Sequence, residues 1–404
     1  MNKLSSIAYY VTDKISSNDI SLSEYVTTDC ILQNKKGREV ASNLPPQPCC
    51  LTRYQRGDIL IANIRPYLKK VWFADIDGGA SSDVLVFRAK EGHSPSFLYA
   101  VLLQDSFFDY VMQGAKGSKM PRGDKEQILR YEMPILSCSE ESIGTFFLNL
   151  DQKIRLNEQI NQNLEAMAKQ LYDYWFVQFD FPNEEGKPYK SSGGEMLWNE
   201  KLKRKIPVGW HCGNLFEIAV FTNGLACQKF RPKDNEVPLP VIKIREMHDG
   251  ISVDTEKVTS NIPESVKVYN GDVLFSWSAS LEVMLWAYGL GGLNQHIFKV
   301  TSANDFPKSF YYFQLLDYVD VFKKMAEARK TTMGHITQDH LQQSTIAIPD
   351  NKDIADKFEE LISPIFRQII KLQEEISNLT KQRDELLPLL MNGQVSVNSD
   401  LADD

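Results

Sequence analysis

The sequence predicts an α+β protein in which two globular α/β domains are joined by two long, antiparallel coiled-coil helices. Three observations lead there. A block of sequence recurs about 214 positions further along the chain, and each copy is followed by a segment with heptad-spaced apolar residues. A stretch rich in Pro, Gly, Ser and charge separates the copies. At 404 residues the chain has room for two to four domains of about 100–200 residues each.

The repeat is clearest around a Gly-Asp pair. YQRGDILIANIRPYLKKVWF, from Tyr54, matches VYNGDVLFSWSASLEVMLWA, from Val268. In both, Gly-Asp precedes an apolar strand-like run, a break, and a second run ending in aromatic residues. Gly57 and Gly271 are 214 positions apart, and a later basic segment that leads into a short strand repeats at nearly the same offset. An offset that persists through strands, loops and helices indicates an internal duplication.

Each copy ends in a helix whose apolar residues step by four and three positions, the spacing of a coiled-coil seam. The apolar spacing of the second helix is interrupted by one charged residue, Arg383. The apolar spacing of the first helix shifts its phase near Asn157. The alternative is an amphipathic helix packed on its own domain. The spacing favours pairing of the two helices through Ile154, Ile160, Leu164, Met167 and Leu171 in the first and Ile365, Ile369, Leu372, Ile376 and Leu379 in the second.

If a pseudo-twofold axis relates the two copies, the helices run antiparallel and the domains lie at opposite ends of a rod. Residues 143–175 would then span about 50 Å at 1.5 Å per residue, roughly one and a half turns of B-DNA. The predicted organisation is a first domain (1–140), a first helix (141–180), an exposed linker (181–210), a second domain (211–352), a second helix (353–395) and a frayed tail (396–404).

Composition restricts the class of protein. The net charge of −8 argues against a non-specific nucleic-acid binder, which would usually be basic. No apolar run is long enough for a signal peptide or a membrane span, so we expect a cytoplasmic protein without membrane contact. The six cysteines include no C-x-x-C pair, which leaves no zinc or redox motif and predicts reduced thiols.

No catalytic motif is found. The chain lacks a G-x-x-x-x-G-K-[ST] phosphate loop, and GLGG and NLPP are better interpreted as turns than as parts of a methyltransferase site. Asp180, Glu185 and Lys187 would form a nuclease-like set only within a flexible linker. His335 and His340 miss the spacing of a helical metal pair and are expected at the surface. We therefore predict a non-enzymatic chain without a metal site or a cofactor of its own.

Binding chemistry is suggested by basic segments at matching positions of the two copies, interleaved with Gly, Ser or Thr that can donate to phosphate. Arg, Asn and Gln beside apolar runs are the types that contact base edges. A solvated charge cluster, or residues that cap turns, is the alternative for each. The candidate DNA-binding residues are Asn63, Arg65, Lys69, Lys70, Lys116, Lys119 and Arg122 in the first copy, and Lys243, Arg245, Ser276, Ser278, Asn294, Gln295, His296, Arg329, Lys330 and Thr331 in the second.

The first helix and the linker, LNEQINQNLEAMAKQLYDYWFVQFDFPNEEGKPYKSSGGEMLWNEKLKRKIPVGW, resemble the central conserved region of type I restriction–modification specificity subunits. FKKMAEARKTTMGHITQDHLQQSTIAIP and IIKLQEEISNLTKQRDELLPLLMNGQVSV resemble the end of the second target-recognition domain and the distal conserved region. GDVLFSWSASLEVMLWAYGLGGLNQHIFKV resembles a target-recognition core. The resemblance covers essentially the whole chain.

This resemblance implies a non-catalytic subunit that recognises a bipartite site in double-stranded DNA, one half-site per domain, with the helices fixing the gap. It also implies two methyltransferase subunits, which would supply S-adenosylmethionine and methylate adenine after base flipping. A motor-nuclease subunit with ATP and Mg would perform restriction. A coiled-coil scaffold without sequence recognition is the alternative, and a self-contained modification enzyme is a second rival.

Overall fold

The computed structural model describes residues 2–133, 139–278, 280–328 and 338–397. It divides into two compact units. Unit one comprises Met1–Leu156 with Asn378–Asp404, and unit two comprises Asn157–Ser377. Each unit therefore combines one globular domain with part of each long helix. No helix among the described residues is long and apolar enough to cross a membrane.

In its described residues, unit one contains ten short strands, four short α-helices and the start of a long α-helix. The strands are β1 Asn2–Lys3, β2 Ala8–Tyr10, β3 Lys14–Ser16, β4 Tyr25–Val26, β5 Cys50–Tyr54, β6 Ile59–Ala62, β7 Val71–Phe73, β8 Gly78–Ala80, β9 Val84–Ala89 and β10 Glu132–Met133. The helices are α1 Leu4–Ile7, α2 Pro95–Leu103, α3 Asp105–Gln113, α4 Lys125–Ile128 and α5 Glu140–Tyr172, which continues into unit two.

Unit two contains the remaining elements. Its strands are β11 Met196–Asn199, β12 Arg204–Pro207, β13 Trp210–Gly213, β14 Ala219–Asn223, β15 Leu239–Ile242, β16 Lys257–Val258, β17 Lys267–Val268, β18 Val273–Ser276, β19 Glu282–Leu285, β20 Gly291–Leu293, β21 Ile297–Ser302 and β22 Ile346–Pro349. Its helices are α6 Leu215–Ile218, α7 Ile244–Asp249, α8 Lys308–Ala328, α9 Gln338–Gln342 and α10 Asp353–Met391, whose end belongs to unit one.

The predicted α+β class and internal repeat are confirmed by the sheet topology. Unit one has an antiparallel sheet of order β2-β9-β6-β7, and unit two has the same arrangement as β14-β21-β18-β19. A second sheet also repeats: β4-β8-β5 and β15-β20-β17 each place a central strand between one parallel and one antiparallel neighbour. The copies differ at its edge, where β3 adds beside β5 but β16 adds beside β15.

The repeated Gly-Asp pair forms the same turn twice. Gly57 and Gly271 have φ of 90° and 89°, a left-handed conformation that favours glycine. The carboxylates of Asp58 and Asp272 each accept a hydrogen bond of 2.8 Å from a backbone N–H three residues earlier. Asp58 is also paired with Arg88 at 2.7 Å, as Asp272 is with Lys299 at 2.8 Å. The motif therefore fixes a turn and anchors a neighbouring strand.

The two long helices pack against each other within each unit. In unit two, Asn161 Nδ2 on α5 donates to Ile369 O on α10 at 3.4 Å. Tyr172 lies eleven residues after Asn161, and its ring contacts that of Phe358, which lies eleven residues before Ile369. The two contacts therefore give an antiparallel pair. In unit one, Arg383 Nη1 contacts Asp151 Oδ1 at 3.3 Å.

The seam on α5 differs from the predicted one. Ile160 and Met167 are 37% and 45% exposed, so their assignment to helix pairing was wrong. The buried face of α5 instead includes the polar residues Asp151, Asn157 and Asn161, because the three-and-four spacing of buried positions continues through them. The predicted Ile154, Ile369, Leu372 and Ile376 are buried, and Leu164, Leu171, Ile365 and Leu379 are partly buried.

The segment 181–210 is largely exposed, as its composition predicts, but it is structured and anchored rather than a free linker. It begins with the buried Phe181, and it contains the β11–β12 hairpin, in which Ile206 is buried. The ring of Phe181 stacks on Trp210 at 5.6 Å. Asp180, a member of the rejected nuclease-like set, is buried and accepts hydrogen bonds from the N–H and hydroxyl of Ser191. Aromatic anchors therefore hold this segment on the core of unit two.

Candidate nucleic-acid interface

Three loops meet at one side of the domain in unit one. These are residues 33–37, 63–70 and 114–123. The N–H of Lys35 donates to Lys69 O at 3.0 Å, which joins the first two loops. The N–H of Arg65 donates to Pro121 O at 2.8 Å, which joins the second and third. We call this assembly the unit-one loop cluster. It brings together all seven candidates that the sequence analysis named in the first copy.

The backbone of this cluster is held in an uncommon conformation. Asn34, Lys35, Arg65 and Lys69 have φ between 51° and 62°, although none is glycine. Such left-handed residues are infrequent, and they are enriched where a loop must present side chains in a fixed way. The surrounding backbone hydrogen bonds supply the necessary support.

The cations of the unit-one loop cluster fall into two groups. Lys69 and Arg122 form ion pairs with Asp105 and Asp83, at 2.9 and 3.1 Å. Lys116 pairs with Asp124 at 3.0 Å, and this hydrogen bond holds the pKa of the Asp124 carboxyl below its usual value. Lys70 Nζ donates to Thr28 O at 2.6 Å.

Arg65 and Lys119 have exposed side chains and no ion pair with any residue that the structure describes. Lys36, which the sequence analysis missed, is exposed on the adjoining loop. The signal that would have revealed it is the Asn-Lys-Lys-Gly turn at 34–37, which carries two cations and a glycine with φ of 82°. These cations are available to bind phosphate.

The matching loops of unit two carry different chemistry. The N–H of Trp277 donates to His296 O at 3.3 Å, and their rings lie 5.6 Å apart. Gln295 and His296 are partly exposed beside this pair. His248 Nε2 lies 3.4 Å from Ser280 Oγ, so α7 contributes a further imidazole that the sequence analysis did not single out. We call these residues the unit-two loop cluster.

Three predicted residues of the second copy position loops rather than face solvent. Ser276 is fully buried, and its hydroxyl donates to Ser280 O. Ser278 is buried, as is Asn294, whose side-chain oxygen accepts from the N–H of His296 at 3.3 Å. These three side chains are therefore not presented at the surface in this structure.

Two basic candidates of the second copy, Lys243 and Arg245, are neutralised by neighbouring carboxylates. Lys243 is paired with Glu256, and Arg245 Nη2 lies 2.7 Å from the buried Glu246 carboxylate. That hydrogen bond raises the pKa of Arg245 above its ordinary value. Arg329, Lys330 and Thr331 lie outside the described residues, as does His335. His340, expected at the surface, is buried.

Comparison with known proteins shows what this chain is similar to. Residues 207–381 match the type I restriction modification DNA specificity domain. The chain is 23% identical to the MjaIX specificity subunit of Methanocaldococcus jannaschii, over 95% of this chain and 86% of that protein. Residues 207–381 of this chain are therefore similar to the DNA specificity domain of type I systems, and almost the whole chain is similar to a type I specificity subunit.

Two further relatives extend the family likeness. The HindI specificity subunit of Haemophilus influenzae is 23% identical, with 92% of this chain and 94% of that protein covered. The crystal structure of the type I S subunit from M. genitalium has a TM-score of 0.58 at 13% identity and covers 96% of this chain and 95% of that one. This chain therefore shares the fold of that structure over almost its whole length.

Proposed function

We propose that this chain is the specificity subunit of a type I restriction–modification system, which recognises a bipartite, asymmetric site in double-stranded DNA and directs partner subunits to methylate adenine and to restrict DNA there. One observation carries the proposal. Two domains with the same strand order present different side chains on matching loops: free cations in the unit-one loop cluster and imidazole, amide and indole groups in the unit-two loop cluster. A duplicated frame with divergent polar loops suits a protein that contacts two different half-sites.

The two loop clusters would have different roles in DNA binding because their side chains differ in chemistry. Arg65, Lys119 and Lys36 offer charge to phosphates, and contacts of this kind set position and affinity. Gln295 and His296 offer hydrogen-bond donors and acceptors to base edges. The chain itself holds no cofactor in this proposal, and two methyltransferase subunits supply S-adenosylmethionine while a motor-nuclease subunit supplies ATP- and Mg-dependent restriction. We place the complex in the cytoplasm.

The decisive experiment expresses the chain with its methyltransferase subunit in cells that lack adenine methylation and sequences the methylated positions. The expected result is a single two-part motif that disappears when the chain is omitted. Methylation without a sequence motif would refute sequence recognition and favour the scaffold alternative. Methyl transfer by the chain alone would favour the self-contained enzyme.

A further inference from the structure

A carboxylate holds one arginine of the unit-one loop cluster in a fixed direction. Arg122 Nη2 lies 3.1 Å from Asp83 Oδ1. The two side chains are 58% and 39% exposed, so the pair lies at the surface. A surface ion pair contributes little to the stability of a fold. What this pair determines is where the guanidinium points.

The backbone of Arg122 is also fixed. Arg122 and Lys116 exchange two backbone hydrogen bonds, each of 2.9 Å. A second antiparallel bridge joins Arg122 to Ile64. The residues on either side, Pro121 and Gly123, are buried, whereas Arg122 is exposed. The side chain of Arg122 therefore projects to solvent from a backbone that is held by two other segments.

The carboxylate is fixed by the sheet of the domain. Asp83 directly precedes β9, and its carbonyl oxygen accepts a hydrogen bond of 2.8 Å from the N–H of Asn63, which directly follows β6. The strands β6 and β9 are paired neighbours. The carbonyl oxygen of Asn63 accepts in turn from the N–H of Gly123 at 3.3 Å. Asn63 therefore links the backbone at Asp83 to the backbone next to Arg122.

This rigidity distinguishes Arg122 from the other exposed cations of the cluster. Arg65 and Lys119 have no ion pair with any described residue, and a flexible cation is sufficient to contact a phosphate. A base edge requires donors in fixed positions, because its acceptors are few and directional. Asp83 accepts from one amino group of the guanidinium, and the other N–H donors of Arg122 stay available. A guanidinium held in this way suits the O6 and N7 acceptors of guanine.

Unit two has a different residue in place of the carboxylate. The N–H of Trp277 donates to His296 O at 3.3 Å, as the N–H of Asn63 donates to Asp83 O. Asp83 and His296 are 213 positions apart, and each directly precedes the matching strand, β9 or β21. The carboxylate that orients an arginine is therefore a feature of unit one, and we expect the base contact that depends on it in one half-site only.

We propose that Arg122 recognises a guanine in the half-site that unit one contacts, and that Asp83 is the positioning residue that directs its guanidinium to O6 and N7. The inference rests on the proposed function and adds to it the base that one residue recognises. The guanine can belong to either strand, so the proposal requires a G·C pair in one half of the recognised motif.

The test expresses the full-length chain with its methyltransferase subunit and sequences the methylated positions for the wild type and each variant. R122K keeps the charge but replaces the planar set of donors with a single ammonium. We expect its preference for one G·C pair to fall about tenfold, with the other half of the motif unchanged. R122Q should alter the preference at the same position. D83N weakens the hold on the guanidinium and should relax that position to a smaller extent.

A matched ion pair outside the cluster provides the control. Arg130 Nη2 lies 3.6 Å from Glu126 Oε2, and both side chains are exposed. R130K and E126Q repeat the two kinds of substitution there and should leave the motif unchanged. R65A removes a proposed phosphate contact, so it should lower methylation at all sites without changing the base preference.

A wild-type motif without a G·C pair would overturn the proposal. Wild-type base preference in both R122K and R122Q would also overturn it. A uniform loss of methylation in R122K with unaltered base preference would do the same, because Arg122 would then be a phosphate contact. The wild-type motif is determined first. Its absence defeats the proposed function, whereas a wild-type motif that the variants leave unaltered defeats only the guanine contact.

Discussion

Unit one and unit two share their strands and differ in the loops that connect them. In unit one, the segment after β4 packs against the helices, and Lys35 joins Asp105 and Asp384. In unit two, the segment after β15 packs at the edge of its sheet and leaves a groove beside α5. The loops on which the proposed recognition depends also differ between the units. The comparison teaches that the duplicated sheets keep one strand order, whereas the connecting loops place different side chains on each unit.

The largest effect is expected at the ionic contact between the two long helices in unit one. Arg383 is 3% exposed and contacts the buried Asp151. R383A should destabilise unit one by about 3 kcal/mol or more, because it leaves a buried carboxylate with less compensating charge. Hydrogen exchange of the amides of unit one, measured as a function of temperature, gives the loss of stability. K381A, on the exposed side of α10, should have almost no effect, and equal effects of the two variants would contradict the ionic role.

The next test distinguishes the observed seam from the predicted one. Ile154 is 6% exposed and Ile160 is 37% exposed. I154A should cost about 2–4 kcal/mol, because it removes buried apolar volume. I160A should cost much less. Chemical denaturation of the two variants provides the measurement, and a larger loss for I160A would show that the seam follows the apolar periodicity after all.

The cationic character of unit one can be tested through salt dependence. In R65A combined with K119A, two phosphate contacts are lost, so the slope of log affinity against log salt should become shallower by about 1.8. Fluorescence anisotropy with a DNA duplex at several salt concentrations gives this slope. K357A, on the exposed face of α10, is the control. An unchanged slope would place the phosphate contacts elsewhere.

The smallest effect concerns pH. Burial acts to raise the pKa of Asp105, but Lys35 and Lys69 outweigh it and lower the pKa below its usual value. A carboxyl whose folded pKa is depressed stabilises the fold above its unfolded pKa of about 3.9 and loses that contribution as the pH falls through the folded value.

K35M should therefore lower the stability by about 1 kcal/mol near neutral pH, and the gap from the wild type should close below about pH 4 as Asp105 becomes protonated. The unfolding midpoints of K35M and the wild type, measured across this pH range, give the stability difference between them. K36M is the matched control. A gap that stays constant with pH would mean that Lys35 contributes through packing alone.

Much of the frame was predictable from the sequence, because it depends on local chemistry. The Gly-Asp pair requires a left-handed turn and a carboxylate acceptor, and both copies form that turn. Strands and long helices follow from apolar periodicity. The seam was misplaced at Ile160 because periodicity was followed through apolar residues only, whereas Asn157 and Asn161 are buried in the real stripe.

The remainder depends on tertiary contacts that local patterns do not contain. Nothing in the sequence near Lys35 indicates that its partner Asp384 comes from the other end of the chain. The edge strands β3 and β16 have only three and two residues, so their different positions in the two sheets left no periodic signal. The burial of Ser276 and Asn294 likewise depends on neighbouring loops.

The ion pair between Lys35 and Asp384 has a consequence for the replacement of a domain by genetic recombination. Almost 350 positions of sequence separate the two residues, so a genetic exchange that replaces the first domain brings in a new loop 33–37 but leaves the end of α10 unchanged. The incoming domain must then suit an aspartate that it did not evolve beside.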